Sequence, residues 1–353
     1  MRRGLIIALS LAAIVVAASL VWVLWFRPQP SEQPPALQPT ITFYGYEIMD
    51  LTGVPVLVVN FSTNVYPITV RLLKPDKRTV ADEAQVEIPE DIPLILYLPT
   101  KSTGHGVYPA SNVIPGTYYL RFIYKKDVLL HKPIDIRLDL NISDVSFYLA
   151  FDEWVGWYIF GVNLTVRNEG NTPAYIDRVD VYGGSDHTWF WIDGIVRLLP
   201  GDEQFISVKE EGLFSALKLG EPGTYNITVT LDLGSKSITY ETTLTIPAPE
   251  ITFGNVILRV EEYPTAWELY KVVMVVNNEG NGTAYIYEVD IDVRDVGSDF
   301  YRFTEPVILG PGESTTLIVD VHIYIYEPGT YDVIIWLDIG YTLVKYTTSL
   351  TVG

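Results

Sequence analysis

The chain contains no cysteine. Disulfides, thiolate nucleophiles and cysteine-ligated metals are thereby excluded, and thiols say nothing about the redox compartment. Histidine is scarce. His105, His131, His187 and His322 lie in four different regions, so no pair stands at metal-ligand spacing, and no HExxH motif exists. GxSxG nucleophile elbows, Walker loops and GxGxxG are missing too. Positive charge is short: 24 Lys and Arg stand against 43 Asp and Glu, a net charge of -19. Such a surface repels phosphate backbones, so nucleic acid is a poor partner. No cofactor and no enzymatic activity are expected. The adjacent carboxylates Asp152-Glu153 and Glu261-Glu262 occupy corresponding segments and read as polar strand edges rather than acid–base pairs.

What is present is apolar substance. Hydrophobic residues make up 48% of the 353, enough for two or three cored domains. From Gly4 to Phe26 the chain runs 23 residues without a charge, after Arg2 and Arg3. As a helix that run is about 34 Å long, enough for a bilayer core of about 30 Å. Trp22 and Trp25 stand where an interfacial belt would be, and the arginines before the run predict a cytoplasmic N-terminus. Two other readings remain open. Ala17-Ala18-Ser19 offers a weak signal-cleavage site, and Arg3-Gly4 resembles prepilin-type leaders whose retained helix packs into a filament. All three send residues 27–353 outside the cell membrane, and the uncleaved single-pass anchor (residues 1–26) is carried forward. Residues 27–39 hold the proline-rich stretch RPQPSEQPPALQP, an extended stalk.

Beyond it the sequence repeats. NEGNTPAYIDRVDV at Asn168 returns as NEGNGTAYIYEVDI at Asn278. PGTY occurs at Pro115, Pro222 and Pro328, LLPGDE at Leu198 answers LGPGES at Leu309, and ITF opens at Ile41 and Ile251. GSD recurs at Gly184 and Gly297. The period divides the chain into units 40–139, 140–247 and 248–353, the first divergent, with FSTN where NEGN would stand. Within them the apolar period is two. Ile227, Val229 and Leu231 alternate with Asn226, Thr228 and Thr230, and Val289, Ile291 and Val293 with Glu288, Asp290 and Asp292. That is the pattern of half-buried antiparallel strands, so each unit is predicted to be an all-β sandwich. LFSALKLG at Leu213 is the best helical candidate past the anchor, and it is short. NEGN reads as a turn in which Asn168 and Gly170 take positive φ, and PGTY as a turn that starts the last hairpin of each unit.

The landmarks V-x-N-x-G-x-x-x-A, a PGE-type turn and PGTY-x-V-x-V-x-x-D resemble the CARDB (cell-adhesion-related) repeats and related immunoglobulin-like modules of prokaryotic, particularly archaeal, surface proteins. Residues 162–174, 200–203 and 222–232 carry the likeness, as do 275–284, 311–313 and 328–338. The resemblance implies three tandem immunoglobulin-like antiparallel sandwiches serving as spacers, adhesion or assembly modules.

Several residues are candidates for contact. In SDHTWFWIDG, Trp189 and Trp191 share one strand face and Thr188, Phe190 and Ile192 the other. An exposed indole face would offer a sugar- or protein-binding platform, an inward one only core. Counted from GSD, Tyr301, Arg302 and Phe303 match Thr188, Trp189 and Phe190. Ile334 and Trp336 lie opposite Val333, Ile335 and Leu337, which makes their strand either an interface or a central strand. Asp290 with Asp292, and Asp177 with Asp180, could place calcium near a junction, without an EF-hand-type loop in support. Five N-x-S/T sequons, at Asn60, Asn141, Asn163, Asn226 and Asn281, predict glycosylation of an exported chain. The expected protein is a membrane-anchored surface rod with a protein or cell-envelope partner. A carbohydrate- or solute-binding module and a pilin-like filament subunit are the alternatives.

Overall fold

The computed structural model describes residues 38–105, 109–210 and 215–353. The predicted anchor (Gly4–Phe26), nearly all of the stalk and the start of LFSALKLG lie outside those residues. Among the described residues no helix is long and apolar enough to cross a membrane, and Leu217–Gly220, the end of that helical candidate, is a strand.

The molecule is all-β, and its strands fall into three groups along the chain. The first holds β1 (Ile41–Leu51), β2 (Val54–Thr63), β3 (Ile68–Leu73), β4 (Val80–Val86), β5 (Leu94–Tyr97), β6 (Thr100–Ser102), β7 (Ser111–Val113), β8 (Gly116–Tyr124) and β9 (Asp127–Ile136). The second holds β10 (Leu140–Asp152), β11 (Gly156–Asn168), β12 (Ala174–Gly183), β13 (Asp186–Leu198), β14 (Glu203–Lys209), β15 (Leu217–Gly220), β16 (Gly223–Asp232) and β17 (Ser237–Ile246). The third holds β18 (Ile251–Tyr263), β19 (Ala266–Asn278), β20 (Ala284–Val293), β21 (Gly297–Leu309), β22 (Ser314–Ile325), β23 (Gly329–Asp338) and β24 (Leu343–Val352).

Each group builds the same two sheets. The three-stranded ones run β1-β2-β5, β10-β11-β14 and β18-β19-β22. The four-stranded ones run β4-β3-β8-β9, β13-β12-β16-β17 and β21-β20-β23-β24. The first group adds the ribbon β6-β7, and the second adds β15 beside β11.

The period-two pattern sets which faces meet. In β22, Leu317, Val319, Val321, Ile323 and Ile325 are buried while the residues between them are exposed. Val289, Ile291 and Val293 of β20 face them from the other sheet, and so do Val333, Ile335 and Leu337 of β23. Each such side chain contributes about 1.5–3 kcal/mol on burial, so a one-residue slip would forfeit a whole strand's worth. Apolar clusters fill the units unevenly. One continuous cluster runs through the first two groups by way of Leu138, Leu140 and Ile142, and the third group has its own.

Candidate functional site

The duplicated NEGN segment is more than a turn. It grips the chain that arrives from the preceding unit. In the second unit the amides of Glu169 and Gly170 donate to the Asp139 carbonyl, at 2.9 and 3.0 Å, and that of Asn171 to the Arg137 carbonyl at 3.0 Å. The Asn171 side chain closes the grip: its Oδ1 accepts from Arg137 N at 2.6 Å and its Nδ2 donates to Asp135 O at 2.7 Å. Asn168, fully buried, holds the loop from inside through donations to Thr172 O and Leu198 O, at 2.8 and 3.0 Å. Neither Asn168 nor Gly170 has the positive φ expected of it. Gly170 is needed for proximity instead, because a Cβ there would stand 2.4 Å from Arg137 O.

The third unit repeats the device. Glu279 N donates to Glu250 O at 2.7 Å, Glu250 N to Asn278 Oδ1 at 3.1 Å, and a Cβ on Gly280 would lie 2.3 Å from Glu250 N. Even the divergent first unit keeps a remnant. Asn64 of FSTN accepts from Thr40 N at 2.8 Å and donates to Gln38 O at 3.0 Å, the same two-pronged hold that Asn171 makes.

PGTY does start the last hairpins, β8–β9, β16–β17 and β23–β24. Its tyrosine hydroxyls also reach back four residues: Tyr118 to Ile114 O at 2.9 Å, Tyr225 to Glu221 O, and Tyr331 to Glu327 O at 2.8 Å. Such a corner ties the crossing between sheets to the next strand.

Between the first two units the contact is polar and buried. The tip of the β1–β2 hairpin lies against β12 and β13, where Asp50, almost fully enclosed, pairs with Arg197. Asp177 accepts from Thr103 Oγ1 and Ala110 N at 2.6 and 2.9 Å. Asn112, at 0% exposure, bonds both backbone groups of Tyr175, each at 2.8 Å. His105 meets Asp232 at 2.9 Å, and Ser235 donates to Val113 O at 3.0 Å. Burial, and after it the Asp50 carboxylate, push the Tyr175 hydroxyl well above its ordinary pKa.

The second and third units meet at the corresponding place with different chemistry. Phe151, at the tip of the β10–β11 hairpin, stacks on Tyr285 with centroids 4.9 Å apart and planes 9° from parallel. Tyr287, Tyr341 and Trp157 surround the same ring. Gly340 makes room, since a Cβ there would stand 2.7 Å from Phe151. Asp152 ends edge strand β10, and Glu153, in the turn that follows, pairs with Arg302 of the third unit.

Trp189 and Trp191 face outward, about two-fifths exposed, while Phe190 and Thr188 between and before them are buried. The Arg178 guanidinium sits 5.9 Å from each indole centroid and 3.1 Å from Asp180. Burial holds the Asp180 pKa up, and Arg178 partly offsets it. Tyr182 stacks on His187 beside them. Strand pairing changes the correspondence with the third unit. Trp189 lies opposite Asp180 as Phe300 lies opposite Asp290, and Trp191 opposite Arg178 as Arg302 lies opposite Glu288. The GSD motifs are therefore not equivalent. A two-residue turn, Gly184-Ser185, precedes β13, whereas three residues, Arg294-Asp295-Val296, precede β21.

Ile334 is nearly buried on the outer face of central strand β23, between Asp292 and Thr347, and Trp336 is half-buried with the Lys345 ammonium 5.1 Å from its ring. The sequon residues Asn60, Asn141, Asn226 and Asn281 are exposed. Asn163 is half-buried, with Nδ2 on Ser146 Oγ at 3.3 Å and Oδ1 enclosed. Among the described residues no group of three or more His, Asp and Glu side chains is placed to hold a metal ion. Of the carboxylates considered for calcium, a bulge after Ile176 turns Asp177 toward the first unit, and Asp180 is taken by Arg178.

Asp50, Arg197, Asn112, Asn171 and Phe151 carry the joints, and none stood out in the sequence. The available signal was the shared offset: Tyr175 and Tyr285, at the centre of the two contacts, are the same residue of the duplicated segment.

No family model and no curated protein matches the chain. Among solved structures, an Escherichia coli alpha-2-macroglobulin activated by porcine elastase is 10% identical over 89% of this chain and 32% of its own, with a TM-score of 0.21. A Salmonella alpha-2-macroglobulin reacted with methylamine is 12% identical over 89% of this chain and 23% of its own, with a TM-score of 0.21. The chain thus spans a third or less of the length of these proteins.

Proposed function

We propose that the chain is a membrane-anchored, extracytoplasmic structural or adhesion protein. In this reading three immunoglobulin-like sandwiches in series, similar to CARDB-like repeats, form a semi-rigid rod that docks a protein or envelope partner. One observation carries the proposal: each hairpin tip seats on the same place of the next unit while that unit's Asn-bearing loop grips the connecting chain. A connector held by backbone hydrogen bonds on one side and a docked tip on the other transmits orientation, which a spacer needs and a flexible tether lacks. The acidic surface suits solubility outside the cell, and the apolar run Gly4–Phe26 supplies the anchor.

The absence of cysteine makes the test direct. A single Ser349→Cys variant in intact cells should react with a membrane-impermeant maleimide. Labelling seen only after lysis would sink the proposed location. A second reading is favoured by the outward Trp189 and Trp191, which give a carbohydrate-binding face flanked by Arg178 and Asp180. Acrylamide quenching of indole fluorescence, reduced by glycans in the parent and unchanged by them in Trp189→Ala/Trp191→Ala, would support it.

A further inference from the structure

We propose that Asn226 carries an N-linked glycan whose sugars lie back across the outer face of the second unit, on Tyr182, His187, Trp189 and Trp191. The carbohydrate-binding reading of that face is the premise, and the occupant is a glycan of the chain itself. In the sequon Asn226-Ile227-Thr228, Asn226 is exposed and Ile227 is buried, so strand β16 presents the acceptor amide on its outer side. In the attachment step Asn226 Nδ2 forms a bond to the anomeric carbon of an oligosaccharide carried on a lipid phosphate. The bond from that carbon to the phosphate oxygen breaks, the lipid phosphate leaves, and Nδ2 gives up one proton.

Strand pairing puts the sequon and the rings on one face. Thr228 lies opposite Tyr182, and Tyr182 opposite His187; Thr230, Asp180 and Trp189 form the next row. With strands about 4.8 Å apart and rising about 3.4 Å per residue, the Asn226 backbone is roughly 8 Å from that of Tyr182 and roughly 17 Å from that of Trp189. The first sugar therefore meets Tyr182, and the next few reach the indoles. A Cβ on Gly184, just past the pair Gly183–Ile227, would meet nothing within 4 Å, so the turn beside Asn226 leaves the approach open. Tyr182 stacks on His187 with centroids 5.6 Å apart, and His187 leans on Trp189 at 5.9 Å, which makes a continuous aromatic strip. Tyr182, Trp189 and Trp191 are 43, 42 and 40% exposed. Contiguous exposed apolar surface marks a contact site, and the faces of sugar rings suit aromatic side chains. A tethered occupant acts at an effective concentration on the order of millimolar, so a stacking contact too weak to hold a free sugar suffices.

The third unit supplies the contrast. Asp332 stands at the place of Asn226, directly after the tyrosine of PGTY, and pairs with Arg294. Asp292 and Ser298 stand where Tyr182 and His187 stand. Sequon and aromatic path occur together in one unit and are replaced together in the other.

The test uses the full chain purified in detergent from its native membranes, with variants produced in the same cells. Mass spectrometry of the peptide containing Asn226 should show a glycan. Acrylamide should quench indole fluorescence less in the parent than in Asn226→Gln, and the difference should vanish when both carry Trp189→Ala/Trp191→Ala. Thr228→Val, which destroys the sequon and leaves Asn226 in place, should behave as Asn226→Gln does. Asn281→Gln, which removes a sequon of the third unit, should behave as the parent does. An unmodified Asn226, equal quenching of parent and Asn226→Gln, or the same gain in quenching from Asn281→Gln would each overturn the proposal. Free glycans that protect the indoles of Asn226→Gln would preserve the carbohydrate face even then, whereas protection by neither free nor attached glycan removes both.

Discussion

The joint between the first and second units and the joint between the second and third occupy the same place in the repeat and are made of opposite materials. The first is a web of enclosed polar groups: Asn112 on both sides of the Tyr175 peptide, Asp177 under Thr103 and Ala110, Asp50 on Arg197. The second is a nest of rings around Phe151, with one acid–arginine pair at its rim. Hydrogen bonds are directional, and an enclosed group that loses its partner has no water to turn to. Ring contacts are broad and tolerate small rotations at little cost. The apolar clusters follow the same division, continuous through the first joint and interrupted at the second. The first two units should therefore behave as one stiff block and the third as a body that can tilt.

The sharpest way to break this contrast is Asn112→Ala. It leaves the amide and carbonyl of Tyr175 buried and unpaired, so a loss of about 2–4 kcal/mol is expected. In chemical denaturation the first and second units should then separate into two transitions. A single unshifted transition would show that the polar web does not couple them. Phe151→Ala is expected to cost less, about 1–2 kcal/mol, since the ring is only half-buried and its contribution comes mainly from stacking. Its larger effect should be geometric. Spin labels on Cys variants in the second and third units should give a broader distance distribution, while a pair across the first joint stays narrow. Equal broadening at both joints would contradict the division into block and tilting body.

Much of this fold was legible in the residues, and the joints were not, for a definable reason. Strand faces follow from period-two alternation: Ile227, Val229 and Leu231 point inward because nothing else buries their surface. The tyrosine of PGTY was readable as a landmark, though its bond to a carbonyl four residues back was not. NEGN was read as a turn because Asn and Gly are turn residues. The competing use, glycine as an absence of Cβ beside an approaching backbone, depends on where Arg137 O and Glu250 N arrive, and no local pattern encodes that. Asp50 and Phe151 share a role without sharing chemistry, so comparison of letters could not align them. The outward turn of Trp189 and Trp191 was undecidable from alternation alone, since Phe190 and Thr188 fit a core as well as two indoles do.

The hairpin β18–β19 supplies a third case, and at its tip the Tyr263 hydroxyl donates to Glu261 at 3.1 Å. Near it, Glu268 accepts from His322 Nδ1 across 2.7 Å, with Tyr263 and Tyr324 beside the carboxylate and Asp299 and Asp320 beside the imidazole. The hydrogen bond from His322 holds the Glu268 pKa below 4.5, and the same bond raises that of His322 above 6.5. The histidine therefore contributes stability that is complete below 6.5 and is lost as pH rises through its folded pKa. The glutamate contributes stability that is present above 4.5 and is lost as pH falls through its own. The pair should support the third unit most between those values. Because the imidazole is largely exposed, the effect is the smallest considered: a shallow fall in the melting temperature of the third unit from pH 6 to 8, absent in His322→Gln. Parallel melting curves for parent and variant over that range would mean that this end of the unit is held by the ladder between β19 and β22 alone, as a bare strand pair rather than a charged one.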